Sequence, residues 1–325
     1  MISLGIESSA HTFGVGIVDE EGNILANKKE VYSPPKGKGI IPHEAREHHK
    51  KIMNKVLTSS LKVAKIEMEE VDILSYTAGP GLPPCLLVGA NLADQLSKKY
   101  KKPLIPVNHC IAHLEIGKLT TGAKDPVFLY LSGGNTQVIA FVEGKYRIFG
   151  ETQDMAVGNC LDVVAREIGL PMPGGPKIEE LAKKGKYVEL PYVVKGMDVS
   201  FSGIATAAIK LFKKGISKED IAYSLQETCF AMLTEVTERA LAHTGKEEVL
   251  LVGGVAANKR LQEMVKIMCE ERGAKMYVVL PKYSGDNGAM IAWTGLLAYK
   301  SGWKAKFKDK IRPRWRTDEV EITWV

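Results

Sequence analysis

The chain has 325 residues, 45% hydrophobic and 25% charged, which is too long for one core and suits two domains of a soluble globular protein. Its formal net charge of +6 admits a nucleic-acid partner without demanding one. No apolar stretch reaches the roughly 18 residues that span a bilayer, Met1–Leu4 lacks the basic region that opens a signal peptide, and five cysteines without C-x-x-C spacing point to a reducing cytoplasm instead of a disulfide frame or a thiolate zinc site.

Taken in order, the chain opens with apolar runs at 2–6, 13–18 and 24–26, separated by Glu7–Thr12 and Asp19–Asn23, and these read as strands joined by turns. Pro34–Gly39 is a mobile loop by composition. A helix is expected from Pro42 to about Ala64, with His43, His48 and His49 on a polar face. Residues 71–76 form a strand that ends in a rigid loop, Thr77–Pro84, ahead of a helix over 86–100 and a strand over 104–107. Alternating strands and helices predict an α/β class. His109 and His113 follow at once, and on a helix they share one face, so their imidazoles can converge on one metal. They lie just past a strand's carboxyl end, where α/β folds place ligands. A zincin protease needs Glu after the first His, and Cys110 stands there.

Thr120–Asp125 is a polar break and the expected domain boundary. Phe128–Val142 then reads as a hairpin around Ser132-Gly133-Gly134-Asn135-Thr136, whose glycines permit φ > 0 and close approach to bare N–H groups, a way to grip phosphate without a P-loop lysine. The order strand, polar turn, strand, turn, strand thus occurs twice, roughly 125 residues apart, and implies two similar halves. The plan resembles the actin, sugar-kinase and heat-shock ATPase superfamily: two lobes with mixed sheets flanked by helices and a ligand cleft between them. The expected lobes are 1–125, completed by 300–325, and 126–299.

Further on, a helix over 156–166 contains Asp162, and Gly174-Gly175 precede Glu179, which can accept from hydroxyls. The segment 222–244 reads as a core helix. A strand over 249–252 runs into Gly253-Gly254 and a helix from Lys259 to Glu271, with Asn258 placed for a base or ribose. After a strand over 276–280, Asp286 stands before a helix reaching Tyr299, either as its cap, which the local sequence favours, or as a metal ligand. From Lys304 to Arg316 a cation falls on every second position, which on an extended chain makes either a solvated face or a phosphate-tracking stripe.

Seven stretches in this order carry a specific likeness across essentially the whole chain: GIESSAHTFGVGIV (Gly5–Val18), NHCIAH (Asn108–His113), LYLSGGNTQV (Leu129–Val138), GNCLD (Gly158–Asp162), PGGP (Pro173–Pro176), GGVAAN (Gly253–Asn258) and GDNGAMIA (Gly285–Ala292). The sequence resembles the archaeal and eukaryotic branch of the universal tRNA threonylcarbamoyladenosine synthases, the catalytic subunit of the KEOPS complex. It departs from that pattern at Ser8-Ser9, at Pro83–Leu87 and at Lys259.

The resemblance implies one metal ion, iron first with zinc or magnesium as alternatives, held by His109, His113 and Asp286 with Tyr130 in the same site. It implies that Tyr130, Leu131, Ser132, Gly133, Gly134, Asp162, Gly175, Glu179 and Asn258 bind an adenylate or ATP. The implied reaction moves the threonylcarbamoyl group from threonylcarbamoyl-AMP to the exocyclic amine of adenosine 37 in tRNAs reading codons that begin with A. The implied partners are tRNA, a kinase-like ATPase and a small dimerising subunit, with no membrane. His43 and His48 are the only guesses for a base. A phosphotransferase of the same superfamily and a non-catalytic tRNA-binding subunit are the alternatives.

Overall fold

The computed structural model describes residues 1–35, 39–305 and 308–325, so the expected mobile loop falls outside it at 36–38, as do Lys306 and Phe307 of the tail. Two compact units emerge: Met1–Leu119 with Val142–Tyr146 and Asp286–Val325, and Thr120–Phe141 with Arg147–Gly285.

In the first unit β1 (Ile2–Glu7), β2 (Thr12–Asp19) and β3 (Ile24–Val31) form an antiparallel run. Then come α1 (Pro42–Ala64), β4 (Ile73–Gly79), α2 (Pro83–Tyr100), β5 (Leu104–Asn108) and α3 (His109–Thr121). The sheet order is β3-β2-β1-β4-β5, with β4 and β5 joined in parallel, as helical crossovers require. Helix α2 begins at Pro83, inside the expected rigid loop, because Pro83 and Pro84 already hold the φ of a first helical turn. The core is apolar and dense around Leu4, Ile6, Phe13, Ile17, Leu74 and Leu86, all inaccessible to solvent.

The second unit repeats that plan. Strands β6 (Val127–Leu131), β7 (Thr136–Val142) and β8 (Lys145–Glu151) are followed by α4 (Val157–Glu167), α5 (Gly174–Ala182) and the short strands β9 (Val194–Lys195) and β10 (Asp198–Val199). Next are α6 (Ser202–Lys213), α7 (Lys218–Thr244), β11 (Glu248–Val252), α8 (Lys259–Glu271), β12 (Lys275–Val278) and α9 (Pro281–Ser284). The sheet order β8-β7-β6-β11-β12 matches the first sheet strand for strand, with β6 and β7 antiparallel and β11 parallel to both neighbours. The predicted core helix α7 starts earlier than its apolar pattern, because Ser217 caps it by accepting from Asp220 N at 3.1 Å.

Helix α10 (Gly288–Lys300) completes the first unit. It descends on β1 and β2 where Gly5 and Gly16 face each other in register, and a Cβ at either would overlap the backbone of Ala292 or Ala289. Ser3 Oγ fixes the contact by donating to Ala292 O at 2.8 Å. Residues 286–299 therefore pack in the first unit and not with the rest of the expected lobe 126–299. The match of small residues on helix and strands is long-range, and no local pattern reveals it.

The tail corrects a second expectation. Among the described residues of 303–316 there is no strand, and a turn lies at 313–314. Lys310 pairs with Asp94 at 2.8 Å, Arg312 with Glu319 at 3.1 Å and Arg316 with Asp318 at 3.1 Å. Trp303 stacks on Trp315, ring centroids 6.4 Å apart. Of the alternating cations, Lys310, Arg312 and Arg316 are thus taken up by the protein's own carboxylates.

Candidate metal centre

The centre grows from two helix starts. Asn108 ends β5, and its Oδ1 accepts from Cys110 N at 2.9 Å and Ile111 N at 3.2 Å, so α3 begins directly at His109. His113 sits one turn later on the same face, and the two rings meet edge to face at 4.8 Å. At the other start, Asn287 caps α10 by accepting from Met290 N at 3.1 Å. The cap is Asn287 and not Asp286, which leaves the Asp286 carboxylate for the histidines. Its Oδ1 lies 3.3 Å from His113 Nε2 and 3.5 Å from His109 Nε2. Ligand atoms of His109, His113 and Asp286 fall within 4.8 Å of one another.

Glu7 is the residue the sequence reading missed. It ends β1, is fully buried, and places Oε2 3.1 Å from His109 Nδ1. Thr77 Oγ1 donates to the same oxygen at 2.7 Å, and Ser9 N donates to Oε1 at 2.6 Å. A carboxylate closing a buried strand with no other charge was the available signal, since a buried charge needs a partner. Burial alone would raise the Glu7 pKa, yet the charge and hydrogen bond of His109 hold it below the ordinary value. For His109 burial works downward, but Glu7 and then Asp286 raise it to about 9. Burial lowers His113, and it stays neutral. Asp286 is depressed against burial by the His113 hydrogen bond and the His109 charge.

Two imidazoles and one carboxylate converging in a buried site are a donor set for zinc or non-haem iron. Glu7 adds the carboxylate that orients a ligating histidine: Nδ1–H donates outward and Nε2 faces Asp286. These residues fit a metal ion. Glu7→Gln should retain the fold and weaken metal affinity by about 10- to 100-fold; equal affinity by competition with a chelator would remove Glu7 from the site.

The predicted nucleotide residues lie in the second unit. Tyr130 is fully buried, and its hydroxyl accepts from Asn135 Nδ2 at 3.4 Å. Leu131 is fully buried too. In the β6–β7 turn Ser132 Oγ accepts from Gly134 N at 3.2 Å and Asn135 N at 2.9 Å. Gly133 and Gly134 are exposed with open space at Cβ, and neither adopts the positive φ that glycine permits; the Ser132 hydroxyl closes the turn. Asp162 Oδ1 accepts from Gly174 N at 2.7 Å, next to Gly175. Glu179 Oε1 accepts from Lys259 N at 2.8 Å, next to Asn258. Asn258 caps α8 through Arg260 N and Leu261 N, and its Nδ2 donates to Gln226. Gly253 has φ +89°, and a Cβ there would overlap Leu131 O, so glycine is obligatory at this bend. The structure thus joins Asp162 to the α5 start and Glu179 to the α8 start. The base guesses His43 and His48 contact Arg46 and His49 on α1.

Two units built on mixed sheets of one strand order define an actin, sugar-kinase and heat-shock ATPase type fold, here with a histidine–carboxylate centre in its first unit. Solved structures share the fold: HypF from Thermococcus kodakarensis (TM-score 0.60, 16% identity, 92% of this chain and 48% of that one) and component A of the Acidaminococcus fermentans (R)-2-hydroxyglutaryl-CoA dehydratase (TM-score 0.57, 17% identity, 92% and 98%). The TsaD family model, tRNA N6-adenosine threonylcarbamoyltransferase, matches residues 22–293. The protein of that name from Thermofilum pendens is 56% identical over 324 residues, covering 99% of this chain and 96% of its own. A probable bifunctional tRNA threonylcarbamoyladenosine biosynthesis protein of Methanocaldococcus jannaschii is 57% identical over 327 residues, and this chain spans 61% of its length. The chain belongs to the tRNA N6-adenosine threonylcarbamoyltransferase family.

Proposed function

We propose that the protein transfers the threonylcarbamoyl group of threonylcarbamoyl-AMP to the exocyclic amine of adenosine 37 in tRNAs reading codons that begin with A. The observation that carries this reading is full-length identity of 56% to relatives of that name, joined to a buried His109–His113–Asp286 centre. The metal, with iron proposed first and zinc second for an imidazole-rich set, supplies Lewis acidity for an acyl carbonyl. His109 and His113 would hold it as neutral imidazoles, and Asp286 would offset part of its charge. Glu7 would keep His109 in the tautomer that offers Nε2. In the second unit Ser132 and the Gly133-Gly134 turn are the proposed phosphate contacts, and Asp162, Gly175, Glu179 and Asn258 hold the loops proposed to receive the nucleoside. The donor is already activated, so no protein nucleophile is needed. The histidine pair favours this reading over a phosphotransferase, since carboxylates alone suffice to hold magnesium.

We place the reaction in the cytoplasm within a KEOPS-type assembly containing a kinase-like ATPase and a small dimerising subunit. The greater length of the bifunctional relative supports a fused partner. The test is transfer from synthetic threonylcarbamoyl-AMP to an unmodified tRNA transcript, with and without partner subunits, read by mass spectrometry of the nucleosides. Modified adenosine is expected from the adenylate and none from ATP alone. Phosphoryl transfer from ATP without any threonylcarbamoyl product would replace this reading with the phosphotransferase.

A further inference from the structure

We propose that the strap from Lys183 to Gly196 on the second unit is a contact surface for unpaired RNA, the anticodon loop of the tRNA substrate; this rests on the function proposed above. Between turns at Lys183–Lys184 and Gly196 the strap is non-helical chain pinned along α7. Gly185 packs on the backbone of Glu219 so closely that no Cβ fits. Lys186 N donates to Asp220 Oδ1 at 2.6 Å, and Val188 N to Ser224 Oγ at 2.7 Å. Leu190 is buried, Tyr192 OH donates to Glu235, and Arg239 donates to Gly196 O. These anchors run from position 219 to position 239, about 30 Å of helix.

A strap held this firmly still shows large apolar groups to solvent: Tyr187 is 55% exposed and Tyr192 51%. Lys183, Lys184, Lys186 and Lys195 are exposed around them; Glu180, which pairs with Lys177, also feels Lys183 and Lys184, and Asp220 feels Lys186. The acids beneath are already engaged, Glu235 by Tyr192 and Arg239, and Glu238 by Arg272. Glu189 is the one exposed carboxylate of the strap. Aromatic faces interleaved with solvent-exposed lysines on a pre-ordered backbone suit a single strand, whose bases stack and whose phosphates attract cations. An ordered platform also avoids the entropy cost of fixing a loop on binding. The lysines disfavour a neutral apolar protein partner.

The test uses the full chain with an unmodified tRNA transcript and its isolated anticodon stem-loop, followed by fluorescence anisotropy at several salt concentrations. Tyr187→Ala should weaken stem-loop binding about tenfold. Lys183→Gln with Lys184→Gln should flatten the log–log salt dependence by about 1.4, near 0.7 per phosphate contact on a single strand. Both variants should melt with the wild type, since these side chains are exposed. If the wild type binds RNA and transfers while the variants match it in affinity and slope, the strap proposal falls and the functional reading stands. If the wild type neither binds RNA nor transfers, both fall. Loss of a protein partner with RNA affinity unchanged would reassign the strap to that partner and overturn the proposal.

Discussion

His113→Ala is expected to remove bound metal and to lower threonylcarbamoyl transfer by more than about 100-fold, because loss of a residue that only orients a ligand already costs about 10- to 100-fold. His113 is the cleaner of the two histidines to remove. Burial holds it neutral, so its loss takes no charge out of the centre, and Asp286, which gives up its hydrogen bond to His113, keeps the charge of His109 beside it. His109 is different: it lies against the buried Glu7 carboxylate, and removing one partner of a buried pair costs about 3–5 kcal/mol. Inductively coupled plasma measurement on chelator-free protein, with a melting curve on the same sample, separates the two effects. Metal retained at the wild-type ratio in a folded His113→Ala protein would take His113 out of the centre. The stripped protein carries a further signature. His109 is raised above its ordinary 6.5 to about 9, so its contribution to stability is complete below pH 6.5 and fades as pH rises toward 9. Glu7, held below its ordinary 4.5, contributes above that pH and loses its share on acidification. His109→Gln should abolish the alkaline loss in the stripped protein.

What could be read from the chain follows from the range of the interactions. Pro42 opening α1 and Asn258 opening α8 are local punctuation, and both helices run over the expected residues. The histidine pair was legible because a strand ends at Asn108 and a helix starts beside it, so spacing alone puts both rings on one face. The duplicated strand order was visible as repeated turn chemistry, and the two sheets share it. Glu7 was hidden because its partner is 102 positions away, and only the parallel pairing of β1 with β4 and of β4 with β5 brings that helix start near it. Asp286 was obscured by its neighbour: two cap-forming residues precede α10, and geometry decides that Asn287 takes the backbone. The tail misled because alternation predicts faces only for an extended chain, and Arg312 and Arg316 instead find acids on the following 3₁₀ turn.

Gly16→Ala is expected to destabilise the first unit by at least about 3 kcal/mol, the upper end for overpacking, since the obstruction is backbone and cannot rotate away. The new Cβ would meet Gly288 and Ala289 at the start of α10. Relief requires the helix to lift from β2, and Gly288 follows Asn287 and Asp286 directly. The same substitution should therefore weaken metal affinity although Gly16 touches no ligand. A shift of roughly 6–12 °C in the first unit's melting is the expected scale. Gly203→Ala on α6 is the internal comparison: its Cβ meets nothing, and alanine in a helix is favoured over glycine by about 0.5–1 kcal/mol. One methyl group should then destabilise at Gly16 and leave unchanged or stabilise at Gly203. Wild-type melting and metal binding in Gly16→Ala would mean that α10 does not rest on β2 at backbone contact, and that Asp286 is positioned by something other than this glycine-lined seat.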